Sequence, residues 1–296
     1  MDARKRLVLA RLLKKHPRIF GAAWEDYELL DAGNELKLER WGKVVTIRPE
    51  RQAYFEPELS FQQWKEKAHW LFQEEKGQKG TWTPLKKNAP ESWPLAYKEL
   101  QFQLETTAFK HVGLFPEQRI NWDFIEQHLS PDASFLNLFA YTGASSLSAR
   151  KTGASVTHCD SVKQLVDWTN INQNLSGLEG IRWVLDDAMT FAKREVKRGN
   201  KYQMVQMDPP AFGLGKKGQK WKIENKIEEL IELAHELLVP DGWLILNTYS
   251  PRLPFDELLK LVQAKYSKTP ETAAQLWLKT SFGNRIYTGD LIRVQR

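Results

Sequence analysis

The order of apolar and polar residues changes character along the chain. From Tyr27, three short runs of alternating residues, YELLDAG, NELKLERWG and KVVTIRPE, predict strands joined by turns at Gly33-Asn34 and Gly42-Lys43. Residues 61–75 follow a helical period. Residues 76–94 are rich in Lys, Gly, Pro and Asn, a composition that predicts a loop or linker. The first third of the chain therefore predicts a small β-rich region.

A second pattern begins at Ser134, where short apolar runs alternate with segments of helical periodicity. This order predicts a parallel sheet with crossover helices, and so an α/β fold. The predicted strands are 135–139, 155–160, 182–185, 204–207 and 243–247, followed by 275–280 and 291–295. The predicted helices are 145–151, 162–175, 189–198, 223–238 and 255–266.

These patterns divide the chain into three parts. Residues 1–25 form a basic segment with a helix at 7–13, which Pro17 ends. Residues 26–95 form the small β-rich region, and residues 96–296 form the α/β domain. The boundary at residue 95 is poorly defined, because apolar and polar residues alternate again over 100–109 and this segment can pair with the earlier strands.

Composition narrows the class of protein. Hydrophobic residues make up 42% and charged residues 27%, as in ordinary globular proteins. No run of 18 apolar residues exists, so no membrane span is expected. Cys159 is the only cysteine, which excludes an intramolecular disulfide and fits a reducing cytoplasm. The six histidines show no metal-ligand spacing, so no metal site is expected.

Charge and tryptophan are unevenly placed. Residues 1–20 carry seven basic residues and one acid, and this segment accounts for the whole net charge of +6. It can contact a phosphate backbone or an anionic surface, or it can be a solvated helix face. Many of the 12 tryptophans lie in the first third of the chain, as core residues or as platforms for bases.

Unusual residues follow four of the predicted strands. Because the carboxyl ends of parallel strands meet at one edge of a sheet, we expect these groups to converge on one crevice. In strand order they are Tyr141-Thr142-Gly143, Asp160-Ser161, Asp186-Asp187-Ala188 and Asp208-Pro209-Pro210.

The set predicts a pocket for an adenosine-containing ligand. Asp160 can accept hydrogen bonds from both hydroxyls of a ribose, and Asp187 can accept one from the exocyclic amine of adenine. Any single aspartate can instead cap the following helix. The two prolines after Asp208 cannot continue a central strand, and they leave the Asp208 and Pro209 carbonyls to face a substrate. The crevice does not suit a nicotinamide dinucleotide, since the turn lacks G-x-G-x-x-G spacing.

Five motifs carry a family resemblance: NLFAYTG, CDSV, LDDAMTF, MDPPAFG and NTYS. With them the chain resembles the class I S-adenosylmethionine-dependent methyltransferases, and more narrowly the bacterial ribosomal RNA large-subunit methyltransferase-like family. Residues 110–124 are similar to the segment before that family's first strand, and residues 30–53 to its N-terminal β-region. The resemblance runs from Tyr27 to the C-terminus.

The resemblance implies a fold, a cofactor and roles for single residues. The fold is a Rossmann-like domain with a mostly parallel seven-stranded sheet, helices on both faces, and a smaller N-terminal β-containing region. The cofactor is S-adenosylmethionine. The implied cofactor-binding residues are Phe139, Tyr141, Thr142 and Gly143 for the methionine part, Asp160 and Ser161 for the ribose, and Asp187 and Ala188 for the adenine. Asp208, Pro209 and Pro210 are the implied catalytic residues and line the methyl-transfer site, where Asp208 also contacts the cofactor.

One departure from related enzymes bears on the chemistry. Relatives that methylate carbon 5 of a pyrimidine use a cysteine placed after the fifth strand, where this chain has Asn247-Thr248-Tyr249-Ser250. Covalent catalysis is therefore not expected, and an exocyclic amine, a ring nitrogen or an oxygen remains as acceptor. Ala211 stands where an aromatic residue follows the prolines in amine methyltransferases, so Phe212 or Tyr249 is expected to stack on the base.

A basic loop, residues 213–222, follows this motif and suits RNA, although a solvated loop is the alternative reading. We expect methyl transfer to a base in RNA, and ribosomal RNA is the leading candidate for the substrate. The alternatives are a protein or small-molecule substrate, or a non-catalytic RNA-binding or assembly protein on the same fold. The expected substrate-binding residues are Gln118, Arg119, Phe212, Lys216, Lys217, Trp221 and Tyr249.

Overall fold

A computed structural model describes residues 16–75, 79–214 and 220–296. These residues form two compact units, one containing Phe20–Arg119 and Trp277–Thr288, the other His16–Ile19, Ile120–Leu276 and Gly289–Arg296. The helix expected at 7–13 lies outside the described residues, as does most of the basic segment. The three-part division with boundaries at 25 and 95 stays a prediction.

Seventeen strands and seven α-helices occur in the described part of the chain. The strands are β1 Arg18–Phe20, β2 Tyr27–Gly33, β3 Leu36–Trp41, β4 Val44–Pro49, β5 Trp70–Glu74, β6 Gly80–Pro84, β7 Ser92–Tyr97, β8 Leu100–Glu105, β9 Ser134–Leu138, β10 Ser155–Asp160, β11 Ile181–Leu185, β12 Tyr202–Met207, β13 Phe212–Leu214, β14 Lys220–Lys222, β15 Leu238–Thr248, β16 Thr272–Lys279 and β17 Arg285–Gln295. The helices are α1 Phe61–Lys67, α2 Arg119–His128, α3 Ala144–Lys151, α4 Lys163–Leu175, α5 Ala188–Lys197, α6 Ile227–Leu237 and α7 Phe255–Lys265.

The first unit contains a five-stranded sheet in the order β2-β3-β4-β5-β6 and the separate hairpin β7-β8. Its large apolar side chains form the interior: Trp41 and Trp64 are fully buried, and Trp24, Trp70 and Trp93 are nearly so. These five tryptophans are core residues and not platforms for bases. A buried ion pair joins neighbouring strands, since Arg48 Nε donates to Glu39 Oε2 over 2.8 Å.

Two predictions for this unit were wrong. The helix expected over 61–75 ends at Lys67, because Ala68 is already extended with ψ at 146°. Trp70 and Phe72 are then buried on alternate positions and belong to β5, which pairs with β4 and β6. The loop expected over 76–94 contains β6 and the start of β7. Trp70, Leu71 and Phe72 alternate as strand residues do, but over so short a run these positions also fit a helical period.

The second unit contains most of the predicted doubly wound sheet, whose strand order is β1-β16-β17-β15-β12-β9-β10-β11. The strands from β15 to β11 run parallel, and β17 pairs antiparallel with β15. The sheet has eight strands instead of seven, because the three-residue β1 adds to the edge next to β16. The chain reverses direction across the sheet between β9 and β12, which is where such folds bind ligands.

The ends of one helix also differ from expectation. The helix predicted at 223–238 begins with a 3-10 turn over Ile223–Asn225, and α6 proper starts at Ile227. It stops one residue early, because Leu238 already belongs to β15. β15 is accordingly longer than the predicted 243–247.

A buried polar contact fixes helix α3 against the sheet. Ser146 on α3 accepts from Asn137 Nδ2 at 2.9 Å and lies 3.0 Å from His158 Nδ1. Burial lowers the pKa of His158 to about 3. Its buried Nε2 meets no hydrogen-bonding partner in the described part of the chain, so a second ring proton would be unsatisfied. His158 is therefore neutral in the folded protein.

This neutral histidine predicts acid sensitivity of the fold. The unfolded chain takes up a proton on His158 below its ordinary pKa of about 6.5, whereas the folded chain does not until about pH 3. Between about pH 6.5 and pH 3 the free energy of unfolding should therefore fall by about 1.4 kcal/mol per pH unit, which is about 2 kcal/mol at pH 5. Urea unfolding at pH 7.5 and 5.0 measures this difference.

His158→Asn should reduce that pH dependence, since it leaves no titrating ring. The matched control is Ser146→Ala, which removes the hydrogen bond but keeps the imidazole and should keep the pH dependence. If His158→Asn and the unchanged protein showed equal pH dependence, His158 would not be the group that makes the fold sensitive to acid.

Candidate active site at the carboxyl edge of the sheet

The strand register brings the ends of four strands to one level. Leu138 of β9 is paired with Cys159 of β10 and with Met207 of β12, and Met207 is paired with Leu246 of β15. The next residue along the chain after each of these therefore lies at the same edge of the sheet. Those four residues are Phe139, Asp160, Asp208 and Asn247. The expected convergence of strand ends is present.

The turn after β9 has a strained backbone. Phe139 and Tyr141 have φ values of +57° and +53°, in the left-handed region that non-glycine residues seldom adopt. Gly143 has φ of +86°, and a Cβ there would lie 2.0 Å from Thr169 Cγ2. Only glycine fits this position, and such strain is typical of functional turns.

Helix α4 holds this turn by its side chains. Thr169 Oγ1 donates to the Tyr141 carbonyl at 3.1 Å, and Asn172 Nδ2 donates to the Thr142 carbonyl at 3.0 Å. Helix α3 starts immediately after Gly143, which provides no side-chain cap. The N–H groups of its first turn, with the positive end of the helix dipole, suit a carboxylate such as that of a methionine group.

Asp160 joins the second strand to this turn. Its Oδ2 accepts from Tyr141 N–H and its Oδ1 from Val162 N–H, both at 2.9 Å. Burial raises the pKa of Asp160, and backbone N–H groups, including that of Ser161, oppose the rise. A carboxylate has about four acceptor positions, so beside these three backbone donors it can still accept from a ribose hydroxyl. Ser161 itself is exposed at the edge.

The acids after the third strand are tied into local structure. Asp187 caps α5, since its Oδ1 accepts from both the N–H and the hydroxyl of Thr190 at 2.9 Å. Asp186 pairs with Arg194 and accepts from Asp187 N–H at 2.8 Å. The capping alternative thus applies to Asp187, and its contact with adenine stays a prediction. Ala188, the next residue, is buried.

Sequence reasoning missed two apolar residues at this edge. Val162 and Leu185 are 43% and 42% exposed although they are branched aliphatic side chains. Each lies within two residues of an acid of the site, Asp160 and Asp187 respectively. Exposed apolar surface beside hydrogen-bond acceptors suits the faces of a planar base. The sequence could have indicated these residues, because each is an apolar residue at or just after the end of a strand, where polar residues are usual.

Asp208 follows β12 at the level of Phe139. Its carboxyl is partly buried, and burial raises its pKa to about 6. Pro209 is buried and Pro210 is exposed. A carboxyl that titrates near neutrality can take up a proton during a reaction, which is the requirement for a general base.

A short hairpin, β13-β14, follows the prolines. Phe212 is 55% exposed and Tyr249, after β15, is 44% exposed, so both rings can meet a base. Trp221 is partly buried and packs on Phe139, with ring centroids 5.1 Å apart. Lys216 and Lys217 lie outside the described residues.

Two other expected substrate residues lie in or beside the 3-10 turn Pro116–Gln118, and both belong to the first unit. Arg119 is buried, and its guanidinium donates to the carbonyls of Ala22, Pro116 and Gly21 at 2.8, 2.7 and 2.9 Å. A Cβ at Gly21 would lie 2.5 Å from Arg119 Nε, so glycine permits this contact. Contact of Gln118 and Arg119 with a substrate stays a prediction.

Cys159 lies on the apolar side of the sheet. It is fully buried among core residues that include Leu138 and Met207. Burial raises the pKa of its thiol, and the charge of Asp186 adds to the rise. The thiol is therefore not ionised at neutral pH, although a nucleophilic cysteine reacts as the thiolate.

Metal binding and membrane crossing find no support in the described residues. Within the ranges that the structure describes, no cluster of three His, Cys, Asp or Glu side chains could hold a metal ion. Over the same ranges, no helix has both the length and the apolar character needed to cross a bilayer.

Known proteins share this fold. Residues 61–270 match the family described as S-adenosylmethionine-dependent methyltransferase. A solved S-adenosylmethionine-dependent methyltransferase from Agrobacterium tumefaciens is 32% identical, with a TM-score of 0.87 over 95% of this chain and 94% of that chain. Ribosomal RNA large subunit methyltransferase K/L of Syntrophotalea carbinolica is 34% identical over 166 residues. Its counterpart in Pseudoalteromonas atlantica is 31% identical over 160 residues.

The architecture is thus that of a class I methyltransferase, as the sequence motifs implied. The chain belongs to the S-adenosylmethionine-dependent methyltransferase family. The matches to the K/L enzymes cover 54% and 53% of this chain but only 23% and 22% of theirs, so the chain spans less than a quarter of those relatives.

The site fits the family's cofactor. Asp160 retains acceptor capacity for the ribose, Val162 and Leu185 offer apolar surface for the adenine, and the start of α3 offers N–H groups for the carboxylate. The sulfonium group of S-adenosylmethionine would supply an activated methyl group, so the protein's task is to align the acceptor and exclude water.

The role of Asp160 predicts a specific loss of cofactor affinity. Asp160→Asn keeps the size of the side chain but replaces one acceptor oxygen by a donor. Loss of a charged hydrogen bond of about 1.5–3 kcal/mol should weaken S-adenosylhomocysteine binding about 10- to 100-fold, as measured by calorimetry. The matched control is Asp167→Asn on α4, which is exposed and paired with Lys163. Equal affinity in both variants would exclude the ribose contact.

Proposed function

We propose that this protein transfers the methyl group of S-adenosylmethionine to a base in ribosomal RNA. The observation that carries the proposal is the common level of Asp160, Phe139 and Asp208 on adjacent strands, which puts a nucleoside-binding acid beside an acid suited to the acceptor. The names of the K/L relatives support ribosomal RNA as the substrate class.

Asp208 acts on the acceptor base in this proposal. A base nitrogen attacks the methyl carbon in line with the departing sulfur, a carbon–nitrogen bond forms, and the carbon–sulfur bond breaks. The nitrogen then gives up a proton, which the Asp208 carboxylate accepts directly. The raised pKa of this carboxyl, about 6, makes it a stronger base than an exposed aspartate. Pro209 and Pro210 lack N–H groups, which leaves the Asp208 and Pro209 carbonyls to face the base.

The thiol takes no part in this reaction. Cys159 faces the core beneath the sheet edge, and its pKa is raised by burial. This placement supports direct transfer to a nitrogen or oxygen and disfavours attack on carbon 6 of a pyrimidine.

Aromatic and basic side chains complete the acceptor site. The exposed rings of Phe212 and Tyr249 are suited to stacking on an unpaired base. We propose that Gln118, Arg119, Lys216 and Lys217 belong to the substrate-binding part of the site. Phe139, Tyr141, Thr142 and Gly143 bind the methionine part, Asp160 and Ser161 the ribose, and Asp187 and Ala188 the adenine.

Ribosomal RNA from a deletion strain should lack one methylated nucleoside. Nucleoside mass spectrometry of purified large-subunit RNA, with and without the gene, identifies the nucleoside and the methylated atom. Re-expression of the unchanged protein should restore it, and Asp160→Asn at equal abundance should restore less. An unchanged nucleoside profile would favour a protein or small-molecule substrate, or a non-catalytic role on RNA.

The role of Asp208 predicts a pH-dependent rate. Because its carboxyl must be ionised to accept a proton, kcat should fall as pH drops through about 6. Asp208→Asn should lower kcat by about 10²- to 10⁴-fold and remove this acid limb, while S-adenosylhomocysteine still binds. Single-turnover transfer of labelled methyl to unmodified ribosomal RNA, followed over a range of pH, measures the loss of rate and the acid limb. Full activity of Asp208→Asn would show that the residue only accepts a hydrogen bond.

A further inference from the structure

Trp221 contacts two functional segments that are separate in sequence. Its indole Nε1 donates to the Pro210 carbonyl at 2.5 Å, and its ring packs on Phe139 at a centroid distance of 5.1 Å and an interplanar angle of 56°. Pro210 belongs to the acceptor segment Asp208–Pro210, and Phe139 belongs to the cofactor turn 139–143. One side chain thus bridges the two halves of the site.

The hairpin register shows which way Trp221 faces. Trp221 is paired with Gly213, whereas Phe212 is paired with Lys222. Side chains of successive strand residues point to opposite faces, so Trp221 lies on one face of the hairpin and Phe212 and Lys222 lie on the other. The face with Trp221 packs on the second unit's core, which leaves the opposite face for a substrate.

The two prolines limit the backbone hydrogen bonds that the segment after Asp208 can form. Two consecutive prolines remove two backbone donors, so neither can anchor the segment through an N–H group. The described contacts of its carbonyls come from β14 and the residue after it: Trp221 binds Pro210, and Ile223 N–H donates to the Ala211 carbonyl at 3.2 Å. The position of the acceptor segment therefore depends on the strand that carries Trp221.

The other contact is with a strained residue. Phe139 adopts φ of +57°, which costs on the order of 1 kcal/mol or more and persists only when its surroundings enforce it. Trp221 is part of those surroundings. The indole therefore contacts Phe139 with its ring and Pro210 with its N–H group.

We propose that Trp221 is a positioning residue that couples the cofactor turn to the acceptor segment. Occupancy of the cofactor pocket fixes Phe139, Phe139 fixes the indole, and the indole fixes Pro210 next to Asp208. Trp221 does not stack on the target base. This coupling rests on the proposed function for the identity of the two pockets, and by linkage it works equally in both directions.

Hydrogen exchange tests the coupling without any RNA. In the unchanged protein, saturating S-adenosylhomocysteine should slow exchange of the Ala211 and Phe212 amides. Trp221→Phe keeps a ring against Phe139 but loses the N–H donor, so the affinity for S-adenosylhomocysteine should stay within about twofold while that protection is lost. Trp221→Leu removes the ring as well and should weaken the affinity itself.

A matched control comes from the first unit. Trp82 Nε1 also donates to a backbone carbonyl, that of Thr107 at 2.9 Å. Trp82→Phe deletes the same kind of bond at a residue with no role in the site, and it should keep the protection at Ala211 and Phe212.

Kinetics give a second readout. Trp221→Phe should lower kcat about five- to tenfold with KM for S-adenosylmethionine nearly unchanged, a split that general destabilisation would not produce.

The outcomes separate this proposal from the proposed function. If S-adenosylhomocysteine does not bind the unchanged protein, the proposed function fails. If it binds but does not protect Ala211 and Phe212, or protects them equally in Trp221→Phe, the coupling is wrong. Methylation of another substrate class would leave the coupling intact.

Discussion

The hydrogen bond between the Asp160 carboxylate and the Tyr141 N–H is the contact on which the site depends. It joins the end of β10 to the turn after β9 and so fixes a turn that contains two residues with positive φ. Strained turns persist only when their surroundings hold them, and here the second contact comes from Thr169 on α4. The carboxylate that holds the turn is also the group suited to the ribose. One ionised side chain therefore serves both the fold and the ligand.

Strand register explains why the acids converge. The parallel pairs between β10, β9, β12 and β15 place Asp160, Phe139, Asp208 and Asn247 at one level, and alternation sends the preceding residues into the core. Asn247 is held by Asn121, whose Nδ2 donates to Asn247 Oδ1 at 2.8 Å. Arg293 Nη2 in turn donates to Asn121 Oδ1 at 2.7 Å. Polar groups of the edge are thus anchored by buried polar contacts below it.

Much of this arrangement could be read from the sequence. The apolar runs of the parallel strands are short and continuous, so their ends, and the acids that follow them, were predictable without knowing any contact. The hairpin after the prolines was not predictable in this way. Trp221 looked like an RNA platform because lysines surround it, and only its pairing with Gly213 shows that it faces Phe139.

The β-rich region was harder to predict for a different reason. In residues 70–74 the strand period of two and the helical period of 3.6 give similar apolar positions over so short a run. Pairing with β4 and β6 decides between them, and that pairing depends on residues far away in the chain. Similarly, the Asp187 cap of α5 and a contact with adenine both require the same residue type. Residue type alone does not separate these roles.

The burial of Cys159 has a practical consequence for labelling. The chain contains a single thiol, and the sheet and its covering helices shield it from solvent. A cysteine introduced on an exposed part of the β13-β14 hairpin would then be the one thiol that a maleimide dye reaches in the folded protein. Fluorescent reporting on this hairpin therefore does not require a cysteine-free background.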